Sequence, residues 1–125
     1  MLLLASAVAV VHGAAVVFML TGALLALRRP RLLLVHAPVA GAILAINLAG
    51  ATCPVTDLQL WLIERAGGVP YRGGFLGHYL FQPLGLDLHA AAVQVGMYTV
   101  ALGLNALGYG LLAARAVRPR LAGRA

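Results

Sequence analysis

Three uninterrupted apolar stretches decide what this chain can be. They cover residues 2–27, 32–51 and 86–114, each at or above the ~20 residues that a helix needs to cross roughly 30 Å of bilayer hydrocarbon. Lipid offers no water to an unpaired backbone, so a spanning segment must satisfy its own N–H and C=O groups, as a helix does. Composition points the same way. The 125 residues are 62% apolar and 10% charged, far below the ~25% charged residues of a soluble domain. Cys53 is the only cysteine, which excludes a disulfide scaffold. The expectation is an all-α integral membrane bundle, one domain over residues 1–125, with three spanning helices. No Arg or Lys precedes the first apolar run, and that run is too long for the core of a cleaved signal, so it is expected to stay in the protein.

Charge orients the spans. All nine cationic side chains are Arg, against three acids, for a net charge of +6. Arg28, Arg29 and Arg31 occupy the turn between the first two spans, and Arg115, Arg118, Arg120 and Arg124 the tail, residues 115–125. The loop 52–85 and its far edge hold Arg65 and Arg72 against Asp57, Glu64 and Asp87. The positive-inside rule places the turn and tail in the cytoplasm, with the N-terminus and the loop outside. Arginines that flank spans are explained by topology and anionic headgroups, and nucleic acid is not an expected partner.

The outer loop has signals of its own. Thr56-Asp57-Leu58-Gln59 fits a capping box with Thr56 as N-cap, predicting a helix to about Ala66 that stops at Gly67-Gly68. Leu58, Trp61 and Leu62 give it one apolar face, suited to the outer membrane surface. A second short interfacial or re-entrant helix is expected over Phe75 to Phe81, ended by Gln82-Pro83.

Small residues predict where helices dock in lipid. Ala5, Ala9 and Gly13 mark the first span, Ala37, Gly41, Ala45 and Ala49 the second, and Gly96, Gly103 and Gly110 the third. Polar residues predict an interior seam, since each needs a partner in hydrocarbon. Asp87, Gln94, Tyr98, Asn105 and Tyr109 fall within roughly 60° on the third span. His36 and Asn47 share a face of the second, and His12 sits near the middle of the first. Depth divides the seam into two layers. His12, Asn47, Gln94 and Tyr98 lie toward the loop side, and His36, Asn105 and Tyr109 toward the basic side.

The candidate binding residues are therefore His12, Asn47, His78, His89, Gln94 and Tyr98. A haem b held by His12 with His78 or His89 is the sharpest cofactor option, set against plain interhelical hydrogen bonding by His12. No CxxC, HExxH or carboxylate cluster suggests a metal. A Cys53–His78 nucleophilic pair is a weaker reading than Cys53-Pro54 as a helix-termination element.

From Cys53 the chain reads Cys53-Pro54-Val55-Thr56-Asp57-Leu58, then Leu62, Arg65-Ala66-Gly67, Tyr71-Arg72-Gly73-Gly74-Phe75-Leu76 and His78-Tyr79-Leu80. Together with His12 and His36-Ala37-Pro38, this resembles a bacterial membrane family catalogued as domain of unknown function 2784, over nearly the whole chain. Asn47 departs from that family's pattern, in which an acidic residue is usual. The resemblance implies the topology and a functional surface where the loop meets the outer polar layer, and no reaction. The Lys-free, Ala/Arg-rich composition suits a GC-rich bacterial genome. The sequence thus reads as a non-catalytic accessory or scaffold subunit in a bacterial cytoplasmic membrane, its partners lipid and other membrane subunits or further copies. The alternative is a cofactor- or lipid-binding protein using the site around His12.

Overall fold

The computed structural model describes residues 1–124; Ala125, the end of the basic tail, lies outside them. Five helices follow one another: α1 (Leu2–Leu25), α2 (Leu33–Leu48), α3 (Pro54–Arg65), α4 (Gly74–Leu76) and α5 (Ala91–Ala122). Among the described residues three helical segments are long and apolar enough to cross a membrane: α1, α2 with the 3-10 turn Pro30–Leu32 before it, and α5. At ~1.5 Å per residue α5 is about 48 Å long, so its last turns, with Arg115, Arg118 and Arg120, reach past the hydrocarbon.

All the longer helices pack on α1. At the basic end Gly108 of α5 meets Ala23 so closely that a Cβ on Gly108 would stand 2.5 Å from the Ala23 methyl. Gly22 admits the His36 ring of α2 in the same way. The Arg115 guanidinium donates to the Leu27 carbonyl at 2.8 Å, satisfying an acceptor left over where α1 ends. At the other end α3 starts beside His12 and packs on α1 through buried Thr56, Gln59 and Leu62. His12 and Ala23 are eleven residues apart and share one face of α1, so α3 and α5 divide that face between them.

Several expectations change here. The N-cap of α3 is Cys53, with Pro54 in its first turn and no side-chain cap bond. Thr56 and Gln59 form the buried face of α3, while Leu58 and Trp61 are about half exposed. The reason is that α3 packs against a spanning helix, and Gln59 finds its side-chain partners in Tyr71 and Tyr79 of the following loop. Arg65 covers the outward Trp61 ring at 5.0 Å. The helix stops as expected: Gly67 takes φ +78°, and the Gly68 N–H bonds the Ile63 carbonyl at 3.0 Å. Over Phe75 to Phe81 the chain forms the single turn α4 followed by a π-helical turn, Gly77–Phe81. The glycine stripes do not make the bundle. Gly41, Gly96, Gly103 and Gly110 have nothing within 4 Å of the Cβ position, whereas Gly22 and Gly108 carry the close approaches.

Candidate functional site

Two polar clusters sit at different depths. The one near the basic end is fully bonded around His36, which has no exposed surface. Its Nδ1 is 2.8 Å from the Tyr109 hydroxyl and its Nε2 3.0 Å from the Met19 carbonyl. A backbone carbonyl only accepts, so Nε2 carries the hydrogen and Nδ1 accepts from Tyr109. The Asn105 amide donates to the Met19 carbonyl at 3.2 Å and to Ala101 at 2.8 Å, leaving its buried Oδ1 unpartnered. Phe18 closes the other side of the imidazole edge-on. Both nitrogens are committed, so this cluster ties α1, α2 and α5 together.

The second cluster gathers loop residues over His12. The His12 side chain is 9% exposed. Its Nε2 lies 3.7 Å from the Cys53 sulfur, while its Nδ1 is buried without a partner. Phe75 stacks on the ring at a centroid distance of 4.1 Å. Beyond it Gln59, 1% exposed, accepts a 3.0 Å bond from the Tyr71 hydroxyl and donates at 2.8 Å to the Tyr79 hydroxyl. His78 lies flat on Tyr71, ring planes 6° apart, with its edge toward Tyr79. Burial pushes the Tyr71 hydroxyl up to about 12, helped by the repulsion that a phenolate would meet from ionised Tyr79 and Cys53. Thr52 donates to the Asp57 carboxylate at 2.8 Å and steadies the entry to α3.

The six candidates from the sequence thus separate. His12 and His78 belong to the cluster, though on different partners. His89 is exposed, with its backbone N–H on the Asp87 carboxylate at 2.9 Å. Asn47 is exposed and turns back to its own Ile43 carbonyl at 2.8 Å. Exposed Gln94 and half-buried Tyr98 line a shallow depression of about 420 Å³ on the outside of α5. The register of α5 on α1, set by Gly108 beside Ala23, does put Tyr98 level with His12 at ~1.5 Å per residue. The two do not meet, because α3 has taken that part of α1. Only the Asn105–Tyr109 end of the expected seam reaches its partners.

Beyond the six candidates the cluster also holds Cys53, Gln59, Tyr71, Phe75 and Tyr79. The weaker sequence reading paired Cys53 with His78; the imidazole beside the sulfur is that of His12. Among the described residues no three His, Cys, Asp or Glu side chains converge on a metal-sized site.

A model of the family described as Protein of Unknown function (DUF2784) matches residues 2–110. The chain belongs to that family. The match takes in both clusters of this DUF2784 protein, from His12 to Tyr109, and ends before the basic tail. Neither the curated proteins nor the solved structures contain a match.

Proposed function

We propose that this DUF2784 protein is a non-catalytic accessory subunit that docks in the membrane through the glycine face of α5, onto other membrane subunits or a second copy of itself. The observation that carries this is the open stripe Gly96, Gly103 and Gly110, spaced seven apart with free space at every Cβ position. It lies about 140° around the helix from the Gly108 contact with α1. Small residues let backbones approach where lipid gives little hydrophobic drive, and this stripe has no approach left to make within the chain. Gly103→Leu should abolish recovery of the co-purifying subunit or second copy while leaving thermal stability unchanged. A variant that keeps every partner overturns the reading.

A second reading is that the His12 cluster binds a ligand, supported by the buried Nδ1 that lacks a bond. The haem b version fits the residues poorly. Iron would take Nε2 of His12, where the Cys53 sulfur already stands, and His89 is elsewhere on the surface. A lipid is the better occupant. An absorption spectrum of the gently purified protein tests this: a stoichiometric Soret band lost in His12→Ala and His78→Ala restores haem. The seven arginines at the turn and tail support a cytoplasmic basic side and an outward loop, in the cytoplasmic membrane of a bacterium.

A further inference from the structure

The geometry points to Cys53 as an acyl-accepting thiol with His12 as its general base, a modification site at which the protein takes a fatty acyl chain from an activated acyl donor. Three independent features meet there. The sulfur is half-buried and stands 3.7 Å from Nε2 of an imidazole that is itself nine-tenths buried, within reach for a nucleophile–base pair. The imidazole is held by the Phe75 ring stacked on it, and its other nitrogen is unpartnered. Finally, Cys53 is the N-cap of the twelve-residue α3, Pro54 has no N–H, and no side chain caps the turn. The Val55 and Thr56 N–H groups are the first-turn donors that follow Cys53, and no side-chain cap bond takes them. Free N–H donors at a helix start suit an oxyanion.

The surroundings select the substrate class. Val11, next to His12 on α1, and Leu48, at the end of α2 five residues before Cys53, are 66% and 74% exposed, an apolar surface on which an acyl chain can lie. The Cys53 sulfur attacks the acyl carbonyl carbon as Nε2 of His12 takes the S–H proton. Charge gathering on the carbonyl oxygen is met by the Val55 and Thr56 N–H groups. When the tetrahedral centre collapses, the bond to the leaving group breaks and that group takes the proton back from His12. The products are S-acyl Cys53 and the free leaving thiol or alcohol, with nothing oxidised or reduced. This goes beyond the docking role proposed above and does not depend on it.

The test uses the full chain in phospholipid nanodiscs, with and without palmitoyl-coenzyme A, read by intact mass and peptide mapping. One acyl group should appear on Cys53, be released by neutral hydroxylamine and be missing from Cys53→Ala. Acylation without coenzyme A names a phospholipid ester as donor, and acylation only with it names a thioester; both support the assignment. His12→Gln should slow the reaction about a hundredfold, the lower range for a general base. If that variant does not fold, the wild-type rate in D₂O decides, since proton transfer in the slow step makes it slower than in H₂O. No adduct, or one on another residue, overturns the proposal. Equal rates in H₂O and D₂O, or an unslowed His12→Gln, overturn the part assigned to His12.

Discussion

Gly108→Ala is the sharpest probe of how α5 is held. The added methyl would stand 2.5 Å from the Ala23 methyl and 2.8 Å from the Ala23 carbonyl carbon. Ordinary carbon contacts are about 3.5–4.0 Å, so the helices must part locally by about 1 Å, and a gap of that size forfeits roughly a quarter to a half of each contact's dispersion. The obstructing atoms include backbone, which cannot swing aside. Overpacking of this kind costs about 1–3 kcal/mol, and alanine returns about 1 kcal/mol of helix propensity over glycine. The Asn105 bond to the Met19 carbonyl, already 3.2 Å, should stretch first; such bonds in a bilayer average ~0.6 kcal/mol. The expected net loss is about 0.5–2.5 kcal/mol. Unfolding by SDS titration in mixed micelles, followed by helicity and Trp61 fluorescence, measures it. Gly103→Ala is the control: nothing lies within 4 Å of its Cβ position, so it should be unchanged or more stable by up to ~1 kcal/mol. A Gly108→Ala protein as stable as wild type, or two variants that shift equally, would refute the packing argument.

Gln59→Leu removes the partner of two tyrosyl hydroxyls and should cost about 1–3 kcal/mol. Trypsin should then cut faster after Arg65 and Arg72, while a triple variant that also replaces Tyr71 and Tyr79 with Phe should recover part of the loss. Tyr71 should ionise near pH 12 by difference absorbance. Its folded value lies above the unfolded 10, so its contribution to stability is complete below pH 10 and lost as pH rises from 10 through 12. A Tyr71 that ionises near the ordinary value of 10 would contradict its burial. A double-mutant cycle on His36→Leu and Tyr109→Phe should give a coupling of about 0.6 to 1.7 kcal/mol, the range for bonds between helices in a bilayer; zero coupling would dissolve the basic-end cluster.

The long helices and the basic turn were legible because length, apolarity and arginine placement are local properties of the chain. Asn105 and Tyr109 were legible too, since 3.6-residue spacing set them on the face that meets His36. Asn47, Gln94 and Tyr98 have equally good spacing, yet stay outside. Spacing says which residues share a face, not which neighbour claims it, and α3 claimed that part of α1. The glycines show the same limit. Seven-residue spacing singled out Gly96, Gly103 and Gly110, while Gly108, outside the stripe, makes the contact with Ala23. Cys53 beside His12 joins positions 41 residues apart, and no local pattern announces such a meeting. Its one sequence signal was Cys53-Pro54, correctly a helix boundary and wrongly read as the end of a helix.

Because α2, α3 and α5 all rest on α1, order of synthesis matters. The helix that every later element needs leaves the ribosome first, and α2 follows after a turn of a few residues. That hairpin can enter the bilayer with the His36 Nε2 hydrogen already on the Met19 carbonyl, but the Nδ1 acceptor waits until Tyr109 is made, 73 residues later. Until then the half-built protein carries a buried imidazole with an unanswered lone pair and an uncovered Ala23 face. An arrested or truncated chain is thereby marked chemically within the membrane, and the arrival of α5 removes both marks in one docking event.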